Sequence, residues 1–549
     1  MRRTSLRLNP WKYREALLAL ALGVLAAGSA AAEEVRVSTT AARPAEAPAL
    51  DIKDNAVQLS VDQAVRIALQ QNLGLVIERY TRTQQRLGII QNLGLYDLVA
   101  QATAGAQASE APGVSQIQGT ESNQQDFNFS FRQTIPTGGN VAFGWSNSRS
   151  EANSPLRANL LYSSGFSFTY NQPLLRDFGR LATERNILIA RTNSRVSRQE
   201  FERQVTTTIQ DVVNAYWTLV GAREQLVVAQ QSLSLARELH ERNRIQVEVG
   251  TLAPLEMVQS EAAIATREED IIRSTSNIGD AEDQLRRLLN LPAVGGLWQT
   301  PIVPTTSPAT ERVTIDVDEA IRTAFAERPE LRTQELQLEQ ARLDAEFFRN
   351  QLKPALDLSV NYGYGSAAPV FGTAFDQLSG FDFPDWSAQL VFSYPLQNRT
   401  ARAQSAIANL DVDRVQTRLD EQKTVIATEV RRAARGVETA FKQIEAARVA
   451  RQFQEKNLEA ERKRYENGMS TSFQITQIQE DLTEARSREV TATINYRTAL
   501  AEYYRATGRL LEHEGVAIDD PDEPDYAAQR FSFSRAPLPG EERHPGGEK

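Results

Sequence analysis

The chain has 549 residues, a formal net charge of −9, three histidines and no cysteine. That excludes disulfides, thiolate metal sites and a lipid-modified N-terminal cysteine, and an acidic chain carries no electrostatic footprint for nucleic acid. His240, His513 and His544 are too scattered to form a metal cluster, so no metal or other cofactor is expected.

The first residues form an export signal. Arg2, Arg3, Arg7, Lys12 and Arg14 precede an apolar run from Ala16 to about Ala27, and Ala30-Ala31-Ala32 supplies the small residues a signal peptidase reads. The run is too short for a spanning helix. Removing residues 1–32 leaves a mature chain of about −13. No later stretch is apolar enough to cross a bilayer as a helix, so any membrane contact falls to strands. Residues 33–57, rich in Ala, Pro and charge, predict a flexible mature N-terminus.

A first helix opens near Asp62 and runs through Val65, Ile67 and Leu69 to about Gln71; a second runs to roughly Tyr96. Then the apolar period becomes two. Phe127, Phe129 and Phe131 alternate with small polar residues, as do Val141, Phe143 and Trp145, with Pro136-Thr137-Gly138-Gly139-Asn140 as the turn between them. Phe166, Phe168 and Tyr170 continue the pattern. Aromatic residues on one face and small polar ones on the other suit a barrel wall between lipid and water, although an ordinary half-buried sheet alternates in the same way.

After Pro173 no proline occurs until Pro254. A helix from about Phe178 to Glu248 would be near 105 Å long at ~1.5 Å per residue, which demands a coiled-coil partner. Leu226, Leu233, His240 and Val247 repeat every seven residues, with Ala229 and Ala236 between them. Beyond a turn at Gly250, Met257, Ile264, Ile271, Ile278 and Leu285 keep the same interval. That period imposes a left-handed supercoil. Residues 292–313 then read as a linker of prolines and glycines.

The pattern before the linker returns after it. Leu59-Ser60-Val61-Asp62-Gln63-Ala64-Val65-Arg66 reappears as Ile315-Asp316-Val317-Asp318-Glu319-Ala320-Ile321-Arg322, Asn171-Gln172-Pro173-Leu174 as Ser393-Tyr394-Pro395-Leu396, and Val249-Gly250-Thr251 as Asn467-Gly468-Met469. The first unit spans 58–291, with strands about 99–172 and long helices about 178–290. The second spans 314–511, with strands about 355–395 and long helices about 399–510. Val437, Ile444, Leu458 and Tyr465 form the second seam, which Arg451, Gln454 and Glu461 interrupt. Residues 512–549 read as a disordered acidic tail.

The second unit offers two strands and the first two to four. Closed membrane barrels begin at about eight, and an open edge cannot face lipid. One chain cannot close a barrel alone: either several copies share one, or there is no membrane barrel. The predicted fold is therefore an α+β membrane protein: a duplicated unit giving a transmembrane β-barrel shared between protomers, plus a long α-helical coiled-coil tunnel.

In the order and spacing of these features, residues 57–511 resemble the TolC family of outer-membrane efflux ducts. Gln172-Pro173-Leu174 and Tyr394-Pro395-Leu396 at the strand ends, with Val249-Gly250-Thr251 and Tyr465-Glu466-Asn467-Gly468 at the helix turns, carry the resemblance. It implies a homotrimer in outer-membrane lipid, four strands per protomer in a twelve-stranded barrel, and a periplasmic tunnel. The tunnel tip would meet a periplasmic adaptor and an inner-membrane pump, and substrate would pass without catalysis. Against that pattern, residues 126–149 look like an additional hairpin, either enlarging the wall to eighteen strands or lying outside it.

The resemblance also places functional residues. Val249, Gly250, Thr251 and Leu252 form one adaptor-docking patch, and Asn467, Gly468, Met469 and Ser470 the other. Tyr465 matches a gate tyrosine whose arginine partner is here Ser470. Family members that carry carboxylates six and nine residues after the second glycine line a constriction with them; here those positions are Gln474 and Gln477. Glu256 could supply a charged ring instead, or be an exposed charge on a polar helix face. Two rivals stand beside the duct: a periplasmic coiled-coil scaffold and an outer-membrane enzyme. The second lacks a catalytic constellation, because no phosphate-cradling loop or His-Glu-x-x-His occurs and Glu268-Glu269-Asp270 sits on a charge-dense helix face.

Overall fold

The computed structural model describes residues 51–53, 56–110, 121–153, 160–292 and 296–518. The signal segment, most of the mature N-terminus and the tail beyond residue 518 lie outside them. In chain order the elements are β1 (Asp51–Lys53), β2 (Ala56–Leu59), α1 (Val61–Gln71), α2 (Leu73–Leu93), β3 (Val99–Glu110), β4 (Glu121–Thr134), β5 (Asn140–Ala152) and β6 (Leu160–Pro173). There follow α3 (Arg180–Glu248), α4 (Leu255–Leu289), α5 (Gly296–Gln299) and β7 (Ile302–Pro304). The second unit holds α6 (Val317–Glu327), α7 (Pro329–Asn350), β8 (Ala355–Ala368), α8 (Phe371–Ser379), β9 (Pro384–Ser393), α9 (Arg399–Glu466), α10 (Ser472–Thr507) and α11 (Leu510–His513).

Local chemistry sets the breaks. Ser60 caps α1 in a reciprocal box with Gln63. Asn72 separates α1 from α2, its side chain accepting from the N–H groups of Gly74 and Leu75. In the second unit Asp316 caps α6, and Pro329 sits at the first position of α7, where its missing N–H costs nothing.

One antiparallel sheet runs β3-β4-β5-β6-β8-β9. Residues 126–149 therefore supply β4 and β5, two strands of that sheet with their turn at its helical end. The register puts aromatic residues of neighbouring strands in rows: Phe129, Trp145, Phe166 and Tyr364 face one another across four strands, and Phe131, Phe143, Phe168, Tyr362 and Trp386 across five. The opposite face carries Ser130, Gly144, Ser167 and Gly363 in one row, and Arg132, Ala142, Thr169 and Asn361 in the next. Between β8 and β9, α8 packs on β6 and β8 at the sheet end away from the long helices, with Phe371 6.0 Å from Tyr162.

Below the sheet stand two helices of 69 and 68 residues, α3 and α9. At ~1.5 Å per residue each is about 100 Å long. Each is accompanied along its length by two shorter helices laid end to end: α2 then α4 beside α3, and α7 then α10 beside α9. The two systems touch, α3 against α7 near the sheet and against α10 toward the tip.

The main core lies midway, where α1, α3 and α4 meet the small sheet β1-β2-β7. Tyr216, Trp217, Ile209, Leu285 and Leu289 are buried there. The Tyr216 hydroxyl donates to the Leu59 carbonyl at 3.1 Å and accepts from the Thr306 N–H at 3.0 Å. That ties the connecting segment to the core, and β7, inside the stretch read as a linker, pairs parallel to β2. A buried ion pair, Glu282 with Arg286 at 2.7 Å, stands beside it, and Glu282 also accepts from the Ile302 N–H.

The heptad phase of the first seam needs correction toward the tip. Ala229, Leu233 and Ala236 are buried as expected, but Leu239 and Asn243 then take the inner positions and His240 turns aside to Ser260, 2.9 Å away. The reason is that α3 packs on two faces at once, against α4 and against α10, and one heptad phase describes a single seam.

Candidate docking tip and gate

The two glycine turns lie at the same end of the helices. Gly250 has φ +79° and Gly468 φ +70°, the left-handed region that glycine occupies without a Cβ penalty. The main-chain N–H of Thr251 returns to the Gln246 carbonyl at 2.9 Å, and that of Met469 to the Arg464 carbonyl at 2.9 Å. Both reversals thus end their helices in the same way. Arg242 on α3 joins Glu466 on α9 at 2.9 Å, holding the two tips together.

Tyr465 is buried between them. Its hydroxyl lies 2.7 Å from Asn243 Oδ1 and 2.9 Å from Gln246 Oε1. The buried Asn243 amide in turn donates to the Ser472 hydroxyl at 2.8 Å, so α3, α9 and α10 meet in one polar knot. Leu239, Leu458, Ile475 and Leu482 pack around it. Burial pushes the Tyr465 phenol up from its ordinary pKa, nearby Glu256 adds to the rise, and Arg242 opposes it. Ser470, which stands where the resemblance expects arginine, donates instead to Glu461 and lies 2.9 Å from Gln474 Oε1. Glu461 is buried and also meets Arg464 at 3.1 Å.

Gln474 and Gln477 are exposed, and Glu256 is half-buried with one carboxylate oxygen enclosed. Of the residues expected to dock an adaptor, Val249 and Met469 are 72% and 62% exposed, Thr251, Asn467 and Gly468 are exposed, and Leu252 and Ser470 are half-exposed. Sequence reasoning missed two groups here. Asn243 and Gln246 are the partners of Tyr465, polar residues one turn apart in an apolar stripe. Leu255, Val258 and Phe473 are exposed apolar residues just past the turns, and their signal was an apolar side chain off the heptad.

A second polar feature interrupts the α9–α10 seam. Arg451 contacts Glu489 and reaches Glu455 at 3.0 Å, and Arg486 meets Glu455 at 3.2 Å. Burial works to raise the Glu455 pKa, but hydrogen bonds from Arg451 and Arg486 outweigh it and the net direction is down.

Comparison with known proteins follows the same lines. The family model described as outer membrane efflux protein matches residues 141–291 and 320–509. The pyoverdine export outer membrane protein OpmQ of Pseudomonas putida is 23% identical over 425 residues, covering 75% of this chain and 81% of OpmQ. Among solved structures, the CmeC outer membrane channel of Campylobacter jejuni superposes with a TM-score of 0.59 at 14% identity, covering 85% of this chain and 90% of CmeC. The outer membrane protein VceC of Vibrio cholerae does so at 0.60 and 15% identity, covering 82% and 96%.

Proposed function

We propose that this chain, which belongs to the outer membrane efflux protein family, works as a trimer whose three copies share one β-barrel above one helical tunnel. The protein is an outer-membrane exit duct of tripartite efflux, conducting substrate passively with no catalytic chemistry of its own, and its helices extend into the periplasm. Family membership sets aside the scaffold and enzyme readings.

One observation carries the trimeric duct. A single chain joins a sheet with one aromatic and one small-polar face to helices about 100 Å long, and among the described residues that sheet is open at both edges. An open sheet cannot stand in lipid, and a wall with an apolar outside and a polar inside encloses water once neighbours close it. The aromatic rows face outer-membrane lipid; the Ser, Gly and Thr rows line the lumen.

At the far end the tip gates and docks. Tyr465 with Asn243 and Gln246 holds α9 against α3, keeping the tunnel mouth narrow. Val249, Gly250, Thr251 and Leu252, with Asn467, Gly468, Met469 and Ser470, receive the periplasmic adaptor, which brings the inner-membrane pump to the mouth. Gln474 and Gln477 line that mouth without charge, and Glu256 is the nearest carboxylate able to form a ring.

Two experiments test this. The purified protein should have the mass of three chains in detergent and form discrete channels in planar bilayers; a water-soluble monomer with ordered helices sinks it. Crosslinkers placed at Thr251→Cys and Ser470→Cys should capture the adaptor in cells. Capture equally strong from mid-helix positions such as Gln443→Cys would remove the tip as the docking site.

A further inference from the structure

Among the described residues, β3 and β9 are the strands of the large sheet with a single neighbour. All twelve residues of β3 and all ten of β9 are exposed. Their free backbone donors and acceptors need partners at membrane depth. Because six strands alternate in direction, β3 leaves the helical end and β9 returns to it, so the two edges run opposite ways. The β9 edge of one copy can therefore continue the antiparallel ladder into the β3 edge of the next.

The side chains agree with that pairing. The face of β3 that belongs with Phe127, Phe129 and Phe131 is an alanine column: Ala100, Ala102, Ala104, Ala106 and Ala108. The same face of β9 carries Trp386, Leu390 and Phe392, which are 74%, 60% and 65% exposed. Bulky side chains beside an alanine column pack without collision, as cross-strand pairs do when sizes alternate. On the other face both strands are mainly polar, with Gln101 and Thr103 on one and Ser387 and Gln389 on the other, and a valine at the helical end of each, Val99 and Val391. Strand β4 is in register with the rest of the wall: its Phe129 and Phe131 continue the aromatic rows of β5, β6 and β8. Its base is tied down as well, the Gln133 amide donating to the Tyr96 carbonyl at 3.0 Å.

We propose that β9 of each copy docks on β3 of the next, giving a wall of eighteen strands, six from each of three copies. This rests on the shared-barrel reading and deepens it. Barrel diameter grows roughly in proportion to strand number, so the lumen is about one and a half times as wide as that of a twelve-stranded wall. The helical section has no matching addition, since each level of a copy holds four helices. The duct therefore flares at its outer end, and selection by size falls to the helical tip, not to the barrel.

Imaging single particles of the full-length assembly in lipid nanodiscs counts the strands. Eighteen are expected; a trimer with twelve, and residues 99–134 off the wall, overturns the proposal while leaving the shared barrel standing. Particles without any barrel would remove both. The absence of cysteine allows a second test. Ala388→Cys paired in turn with Ala100→Cys, Ala102→Cys and Ala104→Cys should give crosslinks between copies up to the trimer. Crosslinks from Ala388→Cys to Val141→Cys on β5 instead, or none to β3, overturn the pairing. Deleting residues 99–138 joins two points at the helical end and leaves an even number of strands. The largest neutral polymer admitted from the outer side should then fall by about a third in diameter, and an unchanged cut-off counts against the eighteen-stranded wall.

Discussion

Tyr465 shows how much a single side chain does at the tip. Its hydroxyl engages Asn243 and Gln246 on the opposite helix, and Asn243 has no solvent to replace it. Tyr465→Phe removes both contacts and strands a buried amide oxygen, a cost of about 1–3 kcal/mol. The expected outcome is a higher resting conductance in bilayers, with that cost falling locally on the tip; an unchanged conductance would show that the knot is packing alone. The titration has a defined sign. The phenol's folded pKa lies above its unfolded value, so its contribution is complete below the usual tyrosine range and is lost only as pH rises through the higher folded value. Conductance should accordingly stay flat from neutral pH to about 9.

At the scale of elements, turns and seams carry the predictions. Gly138 begins the chain's return into β5 with φ +92°, and an added Cβ would lie 2.5 Å from the Asp177 carbonyl oxygen. Gly138→Ala combines that collision with ~1–2 kcal/mol of left-handed strain. It should lower the fraction of trimer that survives heating on gels, whereas Gly139→Ala, at an ordinary φ, tests a collision without strain, its Cβ lying 2.7 Å from the Asn171 carbonyl oxygen. In the α9–α10 seam the Glu455 pKa is depressed in the folded state. Its stabilisation is present above the ordinary glutamate range and is lost as pH falls through the lower folded value. Hydrogen-exchange protection along residues 448–458, corrected for the intrinsic rate, should therefore fall at acid pH before the Leu239–Leu458 cluster loosens. Much at this scale was legible in the sequence. Caps, turn glycines, alternation and the interrupted seam are local, and each is written in residues within a few positions of one another. The inner role of Leu239 and Asn243 was not legible, because it depends on α3 meeting two helices from opposite units.

For the whole molecule, charge at the mouth follows from which residues three copies bring together. At the proposed mouth, rings of Gln474 and Gln477 would hold no cation by charge. A trivalent cation on the periplasmic side should block weakly, and Glu256→Gln should abolish what block remains. Tight block surviving Glu256→Gln places the ring elsewhere.

The sequence by itself determined the duplicated unit, the two helices far too long to stand alone and the arithmetic that one chain cannot close a wall. These follow from period, length and the need to satisfy every backbone group in lipid, none of which requires knowing who touches whom. The tertiary structure alone decided that residues 126–149 stand in the sheet, that β7 joins β2 across the connection, and that Tyr465 finds Asn243 and Gln246. Each is a pairing between residues distant in sequence, and side-chain alternation fixes which face a strand presents without fixing which strand lies beside it.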